Sequence, residues 1–428
     1  MTLVIILFFL FMIMGMPVAF AIGISGFVFF LQQPTLKLTM PVQIILSQTQ
    51  SFVLLAIPMF IFAGNLLNET GITHRLMKLA SVLAGHLRAG LAQVNLVLAT
   101  MLGGITSSAI GDASMLGRGL GPGMIERGYS RGFSAGVIGT SALITTMIPP
   151  GIGLVLYGSI GEVSIGRLFA AGIVPGLLMT IFLMAAVAFT ARVKGYKPER
   201  EKMASPKEIA VTFFDCIWAF LFPILLIVGL RFGIFTPSEA GAFACVYAIV
   251  IGLLVYRELN WKKFIRTLEH TAMDIGMIML LIAMTGPFSY GLTWERIPQQ
   301  IAEFVVGISD IPWVIMLIIV VFLLIAGMFM DSTVLILLLT SILIPVAKAL
   351  NIDLVHFGIV MVLTLTIGLL TPPVGVVMYI VCSIFDTKIW NYLKESWLLL
   401  LAIVLVVVGV IFVPELVLVI PDWIFGKG

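Results

Sequence analysis

The chain has 428 residues, of which 61% are hydrophobic and 11% charged, with a mean hydropathy of +1.17. A soluble domain is nearer a quarter charged, so this composition excludes an ordinary soluble enzyme or nucleic-acid binder. The net charge of +3 singles out no partner, and Cys216, Cys245 and Cys382 lie in apolar segments without metal-ligand spacing, as small core residues do.

Apolar runs of about 20 residues recur along the whole chain, the pattern of a polytopic helical membrane protein; the short alternating segments of a β-barrel are absent. Residues 3–31 are too long for a signal-peptide core and have no basic flank, so they read as a retained first span, broken near Gly15-Met16-Pro17. Residues 42–51 form a lead-in to a second span ending near Asn68. Residues 72–84 are amphipathic, with Leu76, Leu79 and Leu83 on one side and His74, Arg75 and Lys78 elsewhere, which predicts an interfacial arm helix. The apolar stretch 90–124 is interrupted by Thr106-Ser107-Ser108 and Gly111-Asp112, which predicts a re-entrant hairpin. Residues 132–157 cross with a break at Pro149-Pro150, and 167–192 cross back.

A basic linker, 194–209, follows; Arg192 at its edge and Lys194, Lys197, Arg200, Lys202 and Lys207 within it crowd one loop. Residues 213–232 and 239–256 are two further spans joined by Thr236-Pro237-Ser238, with Glu239 expected to cap the second helix. Arg257, Lys262, Lys263 and Arg266 form a second basic loop. Both basic loops then face one side, the cytoplasm by the positive-inside rule. Residues 271–290 cross outward, 294–307 form a second arm, 312–349 a second hairpin, 357–384 a span broken at Pro372-Pro373, and 397–413 a last crossing. The count is about nine crossings plus two hairpins, with a cytoplasmic N-terminus and the C-terminus on the opposite face.

The order span, arm, hairpin, Pro-broken span, span occurs twice, at a spacing of roughly 220 residues. Gly104 to Gly327 and Pro150 to Pro373 are the same step. The expected architecture is all-α, with a first repeat at 1–193 and a second at 210–428, its scaffold spans within 210–256. The first arm is expected on the cytoplasmic side and the second on the opposite side, so the copies are inverted. Paired interrupted segments of this kind point to a transporter's midplane site.

Non-helical backbone survives at midplane only where protein or a watery cavity surrounds it. Each Pro-Pro pair removes two amide donors and frees carbonyls in the preceding turn. Those carbonyls, with the hydroxyls of Thr106, Ser107, Ser108, Ser332 and Thr333, suit a desolvated alkali cation; a divalent ion would recruit more carboxylates. There is no His or Cys cluster for a transition metal. Free amides at hairpin tips can hold an anion without Lys or Arg. A carboxylate near mid-membrane costs roughly 2.5–3.5 kcal/mol on insertion scales, which marks Asp112 and Asp331 as ion or substrate contacts, or as helix caps. Asp215, Glu269 and Asp274 lie near span ends and read as scaffold contacts. The Gly-rich run Gly117 to Gly123 lacks the Gly-Lys-Ser/Thr ending of a phosphate loop. His74, His86, His270 and His356 are scattered, and no Ser-His-Asp signature exists. Without a nucleotide site, the energy for transport must come from an ion gradient.

Five motifs in order carry a resemblance: Thr106 to Asp112; Ile148-Pro149-Pro150 with Tyr157-Gly158; Thr236-Pro237-Ser238-Glu239-Ala240; Gly327 to Thr333; and Thr371-Pro372-Pro373-Val374-Gly375. Over nearly its whole length the chain resembles the large membrane subunit of TRAP (tripartite ATP-independent periplasmic) transporters. The resemblance implies an elevator-type, sodium-driven symporter in the bacterial inner membrane. Its implied partners are a small four-helix membrane subunit and a periplasmic substrate-binding protein that delivers an organic acid, sialic acid first and a C4-dicarboxylate next. It implies one sodium site at Thr106, Ser107 and Ser108 with carbonyls near Ile148 and Gly151, and another at Gly327, Gly368, Thr371 and Val374. Substrate would lie near Ser108, Asp112, Asp331, Ser332 and Thr333. No cofactor is implied beyond the coupling ions. Moving one net positive charge inward gains about 2.3 kcal/mol per 100 mV, so at least two sodium ions per monoanion are expected. The competing readings are a stand-alone sodium–dicarboxylate symporter and a channel or membrane scaffold.

Overall fold

The computed structural model describes residues 1–106, 108–307 and 311–427, and among them the chain is all helical. Helices α1 (Thr2–Ile13) and α2 (Val18–Gln32) lead into α3 (Met40–Thr49), a short 3₁₀ turn, and α4 (Ala56–Glu69). The first arm is α5 (Ile72–Ala84). The first hairpin is α6 (Gly90–Leu102) and α7 (Ala109–Glu126), followed by α8 (Arg131–Met147), α9 (Ile152–Gly161) and the long α10 (Ile165–Lys194). After the linker come α11 (Pro206–Asp215), α12 (Ile217–Arg231), α13 (Pro237–Val250, extended by a π turn) and α14 (Trp261–Trp294). The second arm is α15 (Ile297–Val306) and the second hairpin α16 (Pro312–Phe329) and α17 (Ser332–Ala349). The chain ends with α18 (Leu354–Gly368), α19 (Val376–Ile384), α20 (Ile389–Phe412) and α21 (Glu415–Phe425). Among the described residues, seven helices are long and apolar enough to cross a membrane, and nine if the bent pairs α8–α9 and α11–α12 each count as one.

Several boundaries differ from expectation; the last crossing, expected at 397–413, begins at Ile389, and α21 follows it. Residues 3–31 do not form one kinked span. Helices α1 and α2 pack against each other, and Phe8 of α1 and Gly26 of α2 both meet Phe288 of α14. Gly15 takes a left-handed conformation (φ 80°) and Met16 N donates to Phe11 O, closing α1 before Pro17 starts α2. The expected basic loop at 257–270 is mostly helix. Asn260 accepts from Lys263 N and caps α14, so Lys262, Lys263 and Arg266 ride on its first turns. The stretch expected as one span at 213–232 is divided between α11 and α12, which bend by 59° around Cys216.

Two local expectations hold. Thr236 and Glu239 form a capping box: the carboxylate accepts from Thr236 N at 2.8 Å and the Thr236 hydroxyl accepts from Glu239 N. All three cysteines are buried and free. The linker lies over the loop between α5 and α6, where Glu199 N and Arg200 N both donate to Gly85 O and Arg127 pairs with Glu199.

Two packing groups emerge. One contains α2, α3, α4, α13 and α14, which pack on one another; Asn65 of α4 donates to Thr271 and Asp274 of α14. The other contains the hairpins, α8–α10 and α18–α20. Within both groups the pairings are reciprocal. α4 packs on α13 and α14 on α2; α7 packs on α19 and α17 on α9; α6 packs on α8 and α16 on α18. Glycines permit the closest of these approaches: a methyl group at Gly121 of α7 would strike the Phe385 ring just after α19. That gives the Gly-rich run a packing role.

Candidate transport site

Both Pro-Pro stretches interrupt their helices. α8 ends at Met147 and α9 begins at Ile152, bent by 43°; α18 ends at Gly368 and α19 begins at Val376. The two Pro-Pro peptide bonds are cis. Proline carries no N–H, so the Thr145 and Thr146 carbonyls lose their helical partners at Pro149 and Pro150.

The first hairpin tip rests on the first break. A methyl at Gly103 would strike the Ile148 side chain, and one at Gly104 would lie 3.5 Å from Pro149 O. Gly151, the residue before α9, has its carbonyl engaged by Leu154 N and Val155 N. Thr106 donates its hydroxyl to Asp112 Oδ2 at 2.6 Å. Ser108 caps α7, accepting from Gly111 N at 3.2 Å. Ser107 lies outside the described residues.

The second hairpin meets the second break more tightly. Of the last four carbonyls of α16, Ala326 O accepts from Met330 N, and Met328 O from Gly375 N at 2.9 Å. A methyl carbon on Gly368 would lie 2.5 Å from Gly327 Cα, so two backbones touch here. Thr371 donates both its amide (3.1 Å) and its hydroxyl (3.0 Å) to Gly368 O. Val374 is partly exposed beside Gly375, whose φ of 44° suits glycine. Among the described residues, those expected at each ion site thus gather at one tip-and-break junction per half.

The two tips share one cavity of about 110 Å³. Its polar lining is Ser108 and Thr146 from the first half and Asp331, Ser332, Thr333 and Thr366 from the second. Asp331 is also the N-cap of α17, accepting from Thr333 N at 2.8 Å, so cap and cavity wall coincide in one carboxylate. Asp112 does not join them. It is 2% exposed and held behind the tip by Thr106, a placement that makes it a brace rather than a wall of the cavity. Sequence reasoning missed Thr146 and Thr366. Each donates to the carbonyl three residues back (Leu143 and Leu363, both 2.8 Å), leaving oxygen lone pairs for the cavity. A hydroxyl one or two turns before a Pro-Pro break was the available signal. Among the described residues no group of three His, Cys, Asp or Glu comes together.

The family model of the DctM component of the tripartite ATP-independent periplasmic transporters matches residues 5–416. The chain belongs to this family. It is therefore a multi-pass membrane transport protein, not an enzyme. Among similar family members, the sialic acid TRAP transporter large permease protein SiaM of Vibrio cholerae is 34% identical over 97% of this chain and 96% of its own length. The C4-dicarboxylate TRAP transporter large permease protein DctM of Pseudomonas aeruginosa is 33% identical over 88% of each. The crystal structure of the Alcanivorax borkumensis YdaH transporter shares the fold, with a TM-score of 0.55 at 15% identity over 88% of this chain and 89% of that one.

Removing the Ser108 hydroxyl takes away one tip oxygen and one cap. Ser108→Ala is expected to raise the sodium concentration for half-maximal uptake while the folded protein persists, since losing a cap costs about 1 kcal/mol. An unchanged sodium curve in a transport assay would leave this hydroxyl a purely structural role.

Proposed function

We propose that this TRAP large permease imports an organic acid anion, with sialic acid favoured and C4-dicarboxylates next, driven by at least two sodium ions. The observation that carries the reading is the shared cavity: two hairpin tips and two broken helices present hydroxyls and one carboxylate, and no basic side chain, to one small space. An anion there needs co-bound cations and tip amides for compensation. Carbonyls and hydroxyls are hard, neutral oxygens, the donor set for sodium. Each tip-and-break junction is a candidate ion site, Thr106, Ser108 and Ile148 in the first half and Gly327, Gly368, Thr371 and Val374 in the second. The Gly151 and Gly368 carbonyls each already accept two hydrogen bonds, so both serve less well than the others.

Several observations support the inverted-repeat plan. The reciprocal pairings are those of two copies related by a two-fold axis. α16 and α17 each have the length of a crossing, yet Asp331 between them shares a cavity with Thr146 and Thr366 from the midst of broken spans, which favours a re-entrant tip. The hairpin group would slide as one body past the α2–α4 and α13–α14 frame, an elevator. Lys194, Arg200 and Lys207 in the linker and Lys262, Lys263 and Arg266 on α14 set the cytoplasmic side of the inner membrane. The small membrane subunit and a periplasmic binding protein are the partners this family implies.

Reconstitution separates this from a stand-alone symporter. With the small subunit present, proteoliposomes should take up acid at full rate only when the binding protein is supplied. Equal uptake of free acid without it would make the chain a self-sufficient symporter.

A further inference from the structure

A second polar chamber, about twice the size of the tip cavity at 240 Å³, is walled by three of the same helices, α9, α14 and α17. Its polar lining is Gln48, Ser51, Ser159, Thr285, Ser289 and Ser341. Four chain segments run from the tip cavity to this chamber or flank it, and they agree on direction. α17 carries Asp331 and Thr333 at the first and Ser341 at the second, about 15 Å further along the helix. α9 carries Gly153 at the first and Ser159 at the second. α14 carries Ile278 at the first and Thr285 and Ser289 at the second, and α14 starts with Lys262, Lys263 and Arg266. Ser51 precedes α4, whose far end, Glu69, pairs with Arg266 at that same basic end. With the basic end cytoplasmic, the chamber lies on the outward side of the tips.

Its chemistry is uniform. Every polar lining group is neutral; Leu54, Ile160, Ile282 and Leu337 fill the gaps. Thr285 donates to Ile282 O at 2.7 Å and keeps its lone pairs. The hydroxyls of Ser51, Ser159, Ser289 and Ser341 have no hydrogen-bond partner among the described residues. Neutral donors and acceptors on an apolar wall match ligand hydroxyls and amides. A carboxylate placed here would be desolvated with no cation beside it, a costly arrangement. The walls also belong to different packing groups: α9 and α17 go with the hairpins, α14 and the segment before α4 with the frame.

We propose that this chamber is an outward antechamber that binds the hydroxylated, uncharged part of an incoming monocarboxylate before its carboxylate reaches the tips. The proposal rests on the transport reading above and sharpens it: the favoured substrate is a polyhydroxylated acid rather than a dicarboxylate. Because sliding of the hairpin group would part the walls, the chamber holds its ligand only from the outward side.

The test uses Ser289→Cys and Ser341→Cys, on two different helices, in right-side-out vesicles carrying the full chain with its small subunit, with the binding protein supplied outside. A membrane-impermeant methanethiosulfonate is added outside. The native cysteines are buried and serve as the background. Both new thiols should label from outside, and N-acetylneuraminate should slow labelling several-fold while succinate does not. Labelling untouched by either acid, slowed equally by succinate, or seen only from the cytoplasmic side overturns the proposal. Sodium-driven uptake by the unmodified protein is measured in parallel. Its failure would count against the transport reading, whereas protection of the thiols reads the chamber alone.

Discussion

Asp331→Asn is expected to reduce sodium-coupled uptake to background while leaving the protein folded. Asparagine is as good a helix cap as aspartate, so the bond to Thr333 N survives and α17 still starts at Ser332. What the substitution removes is the charge and one acceptor oxygen, which an NH2 donor replaces. A carboxylate near mid-membrane costs roughly 2.5–3.5 kcal/mol to insert, so its loss should not destabilise the fold. The deficit should therefore appear in transport and sodium response, with the melting temperature in detergent unchanged or raised. Normal sodium-dependent uptake in this variant would remove Asp331 from the site and leave it a cap alone. Asp112→Asn should behave differently. Asp112 braces Thr106 behind the tip and does not line the cavity, so its main effect should be on the first ion junction.

The second large effect is steric. Gly368→Ala drives a methyl group into the Gly327 backbone, and Gly327→Ala drives one towards Leu365 O at 2.8 Å. Neither obstacle is a flexible side-chain end, so α16 must move away from α18. Overpacking of this kind costs typically 1–3 kcal/mol, and a backbone-on-backbone clash belongs at the upper end. The second tip-and-break junction would open, and Gly375 N would lose its registration with Met328 O. Uptake should be lost, and sodium should no longer raise the melting temperature. Gly119→Ala is the matched control: nothing lies within 4 Å of the added methyl, and alanine favours the helix by about 1 kcal/mol. A Gly368→Ala protein that retains sodium stabilisation would dissociate this contact from ion binding.

Much of the site was legible in the sequence because proline and glycine act locally. Pro149-Pro150 and Pro372-Pro373 cannot continue a helix whatever surrounds them, and both breaks lie where expected. The hairpin tips were legible for a related reason: Ser108 and Asp331 are good caps inside otherwise apolar runs, so a helix must begin after each. Thr236 and Glu239 likewise declare a capping box at their spacing. The failures are tertiary. Gly15-Met16-Pro17 is compatible with a kink or a reversal, and the packing of Phe8 and Gly26 around Phe288 decides for reversal. Lys262, Lys263 and Arg266 looked like loop because they are charged, yet a capped helix end tolerates charges at a membrane surface. Which way Asp112 faces depends on Thr106, six residues away across the tip, and no periodicity encodes that. Thr146 and Thr366 are ordinary hydroxyls in apolar helices until two hairpins close over them.

The central claim is that backbone and hydroxyl oxygens at two broken midpoints hold sodium while the tips hold an acid. Its most direct test is the paired flux of labelled sodium and labelled acid in the same proteoliposomes, with small subunit and binding protein present. The account predicts at least two sodium ions entering per monoanion, with uptake accelerated by an inside-negative potential. Acid accumulation without accompanying sodium entry, or indifferent to the imposed potential, would contradict it.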